Sequence, residues 1–201
     1  MHTETEIKLW ASDLPALAER LKALGATLHQ PRTAERNLRY DRPDGSLRAR
    51  GEVLRLRQDR QAYLTFKAPH AAAPYTRTEL EIAVSDFETA DRLLAALGFE
   101  VVWRYEKFRT TYALAGCEVA LDELPFGTFI EVEGDSLAAV EAVIARLGMS
   151  DAPRFALSYS QLFERLRERL QLPFRDLTFE NFRALPQTDI AQALLSEAQH
   201  K

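Results

Sequence analysis

The stretch TETEIKLW, residues 3–10, places a charged side chain at every second position near the start of the chain. If this stretch is a β-strand, Glu4, Glu6 and Lys8 share one face and Ile7 lies on the other, because successive side chains of a strand point to opposite sides. The stretch therefore predicts a strand that is charged on one face.

The same alternation recurs in later segments. Glu-x-Glu occurs twice more, basic residues follow the same period, and apolar residues such as Leu54, Leu56 and Ile130 fill the alternate positions. The charged members of this pattern are Glu79, Glu81, Glu131, Glu133, Arg55, Arg57, Lys67, Lys107 and Arg109. Any one strand is explained by the solvated face of an antiparallel sheet. A solvated face normally mixes Thr, Ser, Lys and Gln, however, whereas these faces concentrate carboxylates and basic groups.

A closed sheet would explain that concentration, because its charged faces would line a lumen and its apolar faces would meet surrounding helices. Buried charge is costly, so a charged lumen requires opposite charges, water or ligands. Carboxylates suit hard cations such as Mg²⁺, and Arg and Lys suit phosphate oxygens. The pattern therefore indicates a divalent metal together with a polyphosphate.

Helical segments separate the predicted strands. Residues 13–25, 86–98 and 136–148 carry leucines or other apolar residues at helical spacing, start at Asp13, Asp86 and Ser136, and end in Leu-Gly. We predict the later strands at 37–41, 53–59, 62–68, 77–84, 101–114, 118–124 and 128–134, and a small-residue loop at 68–75.

Composition limits the classes of function. The chain has 201 residues, of which 46% are hydrophobic, so one domain with a sizeable core is expected. A net charge of -4 and the lack of a long apolar segment argue against a nucleic-acid or membrane partner. With Cys117 as the only cysteine and no cationic leader, a cytoplasmic location is expected.

An ordered set of motifs carries a resemblance to a known family. ETEIK, LRLR, TFK, RTELEI, RYEKFR, ALDELPFGTFIEVEG and SYSQLF follow one another over residues 1–165. In this order they resemble the CYTH superfamily of triphosphate tunnel metalloenzymes. The resemblance implies an α+β fold with a closed antiparallel eight-stranded β tunnel, a charged lumen and surrounding helices. Residues 166–201 lie outside the resemblance, and their own pattern predicts a C-terminal helical extension that packs on the barrel, with a dimer contact as the alternative.

The resemblance also implies roles for individual residues. Mg²⁺ or Mn²⁺ would be held by Glu4, Glu6, Glu131 and Glu133, with Glu79, Glu81 and Asp122 as further contributors. Phosphates would be held by Lys8, Arg55, Arg57, Lys67, Lys107 and Arg109, and by Arg104, whose parity is opposite to that of Lys107. The catalytic set would be Lys8, Arg57, Glu131 and Glu133. Lys8 would serve as a base if neighbouring cations lowered its pKa.

One position departs from the family. Members of the family often have Tyr-x-Asp near the second strand, where this chain has Arg39, Tyr40 and Asp41. Arg39 is interpreted as an exposed arginine, with one more phosphate contact as the alternative.

Four functions are compatible with these motifs. A metal-dependent hydrolase acting on tripolyphosphate, thiamine triphosphate or a nucleoside triphosphate comes first, since the motifs describe a triphosphate site and no adenine pocket. A class IV adenylyl cyclase is the alternative, with cyclic AMP and pyrophosphate as products. A non-catalytic polyphosphate- or nucleotide-binding module comes third, although phosphate binding alone would not need the carboxylates. A β-barrel scaffold without phosphate is the fourth. The expected partner is a triphosphate-containing small molecule, and the expected state is a monomer or homodimer.

Overall fold

The computed structural model describes residues 5–70 and 73–198, without the side chains of residues 70 and 73–77. Its strands are β1 (Thr5–Trp10), β2 (Thr27–Asp41), β3 (Val53–Gln58), β4 (Ala62–His70), β5 (Ala73–Val84), β6 (Glu100–Leu114), β7 (Cys117–Leu124), β8 (Gly127–Gly134) and β9 (Arg154–Phe155). Its helices are α1 (Leu14–Ala23), α2 (Ser46–Ala49), α3 (Phe87–Ala96), α4 (Leu137–Arg146), α5 (Tyr159–Leu170), α6 (Phe179–Phe182) and α7 (Gln187–Leu195).

The strands form one sheet in the order β5-β4-β3-β2-β6-β7-β8-β1-β9. The prediction of a closed eight-stranded tunnel is therefore wrong: the sheet has nine strands, and within the described ranges no ladder joins β5 to β9. The two-residue strand β9 pairs with Lys8 and Leu9 and so occupies the outer edge of β1. The α+β class and the antiparallel pairing are confirmed.

Local sequence explains the helix ends. The carboxylate of Asp13 accepts a hydrogen bond from the Ala16 backbone N–H at 2.9 Å, and Asp86 does the same for Thr89 at 2.7 Å. These bonds satisfy N–H groups that have no partner in the first turn of a helix. The three predicted helices are confirmed as α1, α3 and α4. The loop predicted at 68–75 is too long, because β4 continues to His70 and β5 begins at Ala73.

The chain forms two compact units. The first consists of Met1–Thr33, Lys107–Phe174 and Phe179–Lys201, and the second of Ala34–Glu106 and Arg175–Thr178. The predicted boundary at residue 165 lies inside α5, so the division into a site domain and an extension remains a prediction. No helix within the described ranges is long and apolar enough to cross a membrane.

Each unit has an apolar core on one side of its strands. In the first unit Leu9, Ile130 and Val132 are fully buried beneath apolar residues of α1 and α4. In the second unit Leu54 and Leu56 pack with Phe87 and Leu94 of α3. The alternate positions of the same strands carry the charged side chains, as the period of two predicts.

Helix α5 contributes Tyr159 to an aromatic cluster in the first unit. The ring of Phe129 on β8 contacts Phe126, Phe155 and Tyr159, with centroids 5.2 to 5.6 Å apart. Phe129 lies opposite Asp122 in the β7–β8 ladder. Because cross-strand partners share a face, α5 reaches the charged side of the sheet.

Candidate functional site

Strand register gathers the charged residues of the first unit. Lys8 lies opposite Glu131 in the β1–β8 ladder, and Arg109 lies opposite Asp122 in the β6–β7 ladder. Glu131 is opposite Ala120, two residues from Asp122 on the same face. We call Lys8, Lys107, Arg109, Asp122, Glu131 and Tyr159 the Asp122 cluster.

Asp122 is the fully buried centre of this cluster, with no exposed side-chain surface. Arg109 donates to it from Nε at 2.6 Å and from Nη2 at 2.5 Å, and the Tyr159 hydroxyl donates at 2.9 Å. The Nζ of Lys107 donates at 3.4 Å. These donors use most of the lone pairs of the carboxylate. Asp122 is therefore suited to hold the basic groups in place and is poorly suited to bind a metal.

Glu131 connects two basic residues of the cluster. One of its oxygens lies 3.1 Å from the Nζ of Lys8, and the other accepts a short hydrogen bond from Arg109. Burial alone would raise the pKa of Glu131, but the charges of Arg109, Lys107 and Lys8 outweigh it and lower the pKa well below its usual range. Glu131 is therefore anionic at neutral pH.

Lys8 has carboxylates as its neighbours. Its Nζ lies 3.1 Å from an oxygen of Glu6 and 3.1 Å from an oxygen of Glu131, and over the ring of Tyr159 at 4.5 Å. Burial would lower the pKa of Lys8, but the two carboxylates outweigh it and raise the pKa. The predicted base role, which required neighbouring cations and a lowered pKa, is not what this geometry favours.

The second unit carries its own charged face. The ladders place Arg55 opposite Thr65 and Thr65 opposite Glu81, while Arg57 lies two residues along β3 from Arg55. Tyr105 on β6 completes the group, since its hydroxyl accepts a hydrogen bond from Nη1 of Arg55 at 3.3 Å. We call Arg55, Arg57, Thr65, Glu81 and Tyr105 the Arg55 cluster.

The arginines of the Arg55 cluster make only long contacts to carboxylate. Glu81 lies 3.8 Å from Nη2 of Arg55 and 3.6 Å from Nη2 of Arg57. Its short hydrogen bond, of 2.7 Å, is donated by the Thr65 hydroxyl. The Nε groups of Arg55 and Arg57 are buried and have no hydrogen-bond acceptor among the described residues. Strong donors thus remain available on this face.

The other predicted residues of the second unit are placed less centrally. Lys67 lies opposite Glu79 and forms an ion pair with it at 2.7 Å. Arg104 is exposed and lies 3.5 Å from Asp176, which also accepts a hydrogen bond from the Arg104 backbone N–H. Arg104 therefore lies outside the Arg55 cluster, in keeping with its opposite parity.

The carboxylates on and beside β1 fit a divalent metal only in part. Glu4 lies outside the described residues, and among the residues that are described no three His, Cys, Asp or Glu side chains converge as a complete metal site. Glu6 lies opposite Glu133 in register, and burial together with the charge of Glu131 raises the pKa of Glu6. Mg²⁺ commonly takes one or two carboxylates and completes its shell with water and phosphate. Glu6 and Glu131 supply two carboxylates, which is the number that such a Mg²⁺ site needs from the protein.

Three residues near the second strand and on β6 differ from the sequence-based expectation: the interpretation of Arg39 as exposed is wrong, Tyr40 lies in the core, and Tyr105 was not predicted. Arg39 is half-buried and lies opposite Arg55 in the β2–β3 ladder, so it shares the face of that cluster and is not simply a solvent arginine. Tyr40 points to the apolar core, where its hydroxyl donates to Asp91 at 2.8 Å. Tyr105 could have been predicted from the sequence, because it lies two residues before Lys107 on β6 and therefore has the same parity.

The chain is an α+β protein with an antiparallel sheet, and in each unit the strands carry acidic and basic side chains on the face opposite the apolar core. A family model described as CYTH domain matches residues 2–147. Since this match covers well over half of the chain, the chain belongs to the CYTH domain family.

One named protein is similar to this chain in sequence and two solved structures are similar to it in fold. A Methanocaldococcus jannaschii protein named "Putative adenylate cyclase" is 30% identical over 133 residues, which cover 65% of this chain and 75% of that protein. A Vibrio parahaemolyticus structure described with the same words has a TM-score of 0.70 at 22% identity and covers 81% of this chain and 98% of its own. A Hippeastrum structure has a TM-score of 0.58 at 17% identity, covers 82% and 95%, and is described as having a dominant triphosphatase activity. The two structures are similar to this chain in fold.

Proposed function

We propose that the chain is a metal-dependent enzyme that hydrolyses a triphosphate, with a cytoplasmic location. The observation that carries the proposal is the pair of arginines in the Arg55 cluster. Arg55 and Arg57 are mostly buried, and neither buried Nε–H makes a hydrogen bond to a described residue, although the Nε of Arg57 lies 3.8 Å from an oxygen of Asp59. Buried donors without acceptors are costly, and phosphate oxygens are the acceptors that the planar guanidinium fits best.

Phosphoryl transfer explains why basic groups are needed. Negative charge spreads over the phosphoryl oxygens in the transition state, so catalysis consists largely of positioning and of electrostatic stabilisation. In the Arg55 cluster, Arg57 would give up its long contact with Glu81 and bind phosphate oxygens instead. In the Asp122 cluster, Asp122 would hold Arg109 and Lys107 in fixed orientations while they face developing negative charge.

Glu6 and Glu131 would hold the divalent metal, with Glu133 close by in register. When bound, Mg²⁺ or Mn²⁺ supplies Lewis-acid stabilisation of phosphoryl oxygens and lowers the pKa of a coordinated water. Lys8, protonated between Glu6 and Glu131, would keep these two carboxylates near each other and contribute a positive charge.

Adenylyl cyclase activity is the second candidate. It is favoured by the name of the Methanocaldococcus jannaschii relative, which shares 30% of its residues over the aligned region. The same basic groups would serve either reaction, because both neutralise charge on a triphosphate. The two reactions differ in the nucleophile, which is water in a hydrolase and the ribose 3'-hydroxyl in a cyclase.

Product identification tests the proposal. The purified protein is incubated with tripolyphosphate, thiamine triphosphate or ATP in Mg²⁺ or Mn²⁺, and the products are separated by ion-exchange chromatography. Release of orthophosphate, abolished by a chelator and strongly reduced in Arg57→Ala, is expected. Cyclic AMP and pyrophosphate as the main products from ATP would instead establish the cyclase. Tight binding without turnover of any of the three would establish a binding module.

A further inference from the structure

Arg39 extends the Arg55 cluster onto a neighbouring strand. The β2–β3 ladder pairs Arg39 with Arg55 and Asn37 with Arg57, so three guanidinium groups occupy adjacent positions on one face. Like charges directly opposite each other destabilise a pair of strands. A face with three adjacent guanidinium groups attracts a polyanion.

Aromatic side chains hold Arg39 in this arrangement. Its guanidinium lies over the ring of Trp103, 5.7 Å from the centroid, which is within the range of a cation–π interaction. Trp103 stacks on Tyr105 with centroids 4.5 Å apart, and Tyr105 accepts a hydrogen bond from Arg55. Arg39 and Arg55 are thus connected through one aromatic pair, which limits the freedom of both side chains before a ligand binds.

The carboxylates near Arg55 and Arg57 leave donors of these two arginines for a ligand. Glu81 is shared by Arg55 and Arg57 at distances longer than those of a charge-assisted hydrogen bond. Glu35 is buried and accepts a hydrogen bond from the Asn37 amide at 2.9 Å. Glu81 therefore leaves donors of Arg55 and Arg57 available, among them the two buried Nε–H groups.

We propose that Arg39 is a substrate-binding residue that recognises the polyphosphate chain, together with Arg55 and Arg57, and does not recognise the organic group. This inference rests on the proposed function and names the part of the substrate that residues of the second unit bind. Since guanidinium groups bind phosphoryl oxygens, the contribution of Arg39 is the same for inorganic tripolyphosphate and for ATP. Tyrosine at this position, as the resemblance would give, carries no positive charge and cannot make that contribution.

Calorimetric titration in metal-free buffer tests the proposal with inorganic tripolyphosphate and ATP as probes. Arg39→Ala should weaken the binding of both probes by the same factor, about tenfold or more from the range for charged hydrogen bonds. Arg39→Lys should bind with intermediate affinity, because lysine restores the charge without the planar fork. Arg36→Ala is the matched control: Arg36 is on the same strand but is exposed, faces the other side and pairs with Glu88, so its loss should leave binding unchanged.

The outcomes separate this inference from the proposed function. If Arg39→Ala binds both probes as the wild type does while Arg57→Ala does not, Arg39 has no such role and the phosphate site stands. If Arg39→Ala loses affinity only for ATP, Arg39 reads the nucleoside and the inference is overturned. If Arg57→Ala also binds normally, or the wild type binds neither probe, the phosphate site of the proposed function fails as well. Thermal unfolding of each variant shows whether it is folded, and Arg39→Lys decides the question if Arg39→Ala is not.

Discussion

Replacing Asp122 by Asn tests whether this carboxylate holds the basic groups of the first unit. Asp122 has no exposed surface and accepts hydrogen bonds from Arg109, Lys107 and Tyr159. Asparagine has nearly the same shape but no charge, so two cations would lose a buried counter-ion. Breaking a buried ion pair by removing one partner typically costs about 3 to 5 kcal/mol. Arg109 keeps Glu131 as a second partner, so we expect the lower end, about 3 kcal/mol.

The neighbouring residue on β7 provides a matched control. Glu123 points to the other face and forms an ion pair with Arg32, and their side chains are 34% and 53% exposed. An exposed pair of this kind contributes less than about 1 kcal/mol. Glu123→Gln should therefore change the free energy of unfolding far less than Asp122→Asn, although both substitutions turn an acid into its amide.

Urea unfolding at neutral pH with a chelator present measures both variants. If Asp122 were a metal ligand, the other carboxylate ligands would repel it when the metal is absent. Asp122→Asn would then be as stable as the wild type or more stable. A loss of about 3 kcal/mol in Asp122→Asn supports the assignment made from the hydrogen bonds. Equal stability of Asp122→Asn and Glu123→Gln would refute it.

Three further changes have defined outcomes. Arg57→Ala should lower kcat/KM at least about 30-fold for every triphosphate tested, since it removes roughly 2 kcal/mol of charged hydrogen bonding, and Arg57→Lys should recover part of that loss. Burial would raise the pKa of Asp41, but hydrogen bonds from three backbone N–H groups, with that of Leu47 first, outweigh it and lower the pKa. The stability due to Asp41 is therefore present above its unfolded-state pKa of about 4 and is lost as the pH falls through the lower folded-state pKa. In Asp41→Asn the urea midpoint should therefore fall less steeply at acidic pH than it does in the wild type. Gly127→Ala would put a Cβ 2.5 Å from Trp10 Cζ3. A melting curve should show that the free energy of unfolding falls by about 1 to 3 kcal/mol. An unchanged melting temperature would mean that the indole moves aside freely.

The parts that sequence predicted are those that depend on local period. Alternation in segments such as LRLR correctly places Arg55 and Arg57 on one face and Leu54 and Leu56 in the core. Caps such as Asp13 locate the helices for a similar reason, because a cap acts on N–H groups within its own first turn.

The parts that sequence could not predict depend on pairing between distant segments. Whether a sheet closes is decided by its end strands, and β9 is only two residues long, too short to show any period. The position of Arg39 opposite Arg55 follows from strand register, which no single segment encodes. Likewise, the contact of Tyr159 with Asp122 brings together residues 37 positions apart.

Isotope transfer from water tests the central claim of triphosphate hydrolysis most directly. The wild-type protein is incubated with ATP and with tripolyphosphate in water enriched in oxygen-18, with Mg²⁺ or Mn²⁺, and the released phosphate species are measured by mass spectrometry. Hydrolysis at the terminal phosphorus predicts orthophosphate that carries one oxygen-18 atom per turnover, from both substrates. Unlabelled pyrophosphate and cyclic AMP from ATP, with no labelled orthophosphate from tripolyphosphate, would contradict the account.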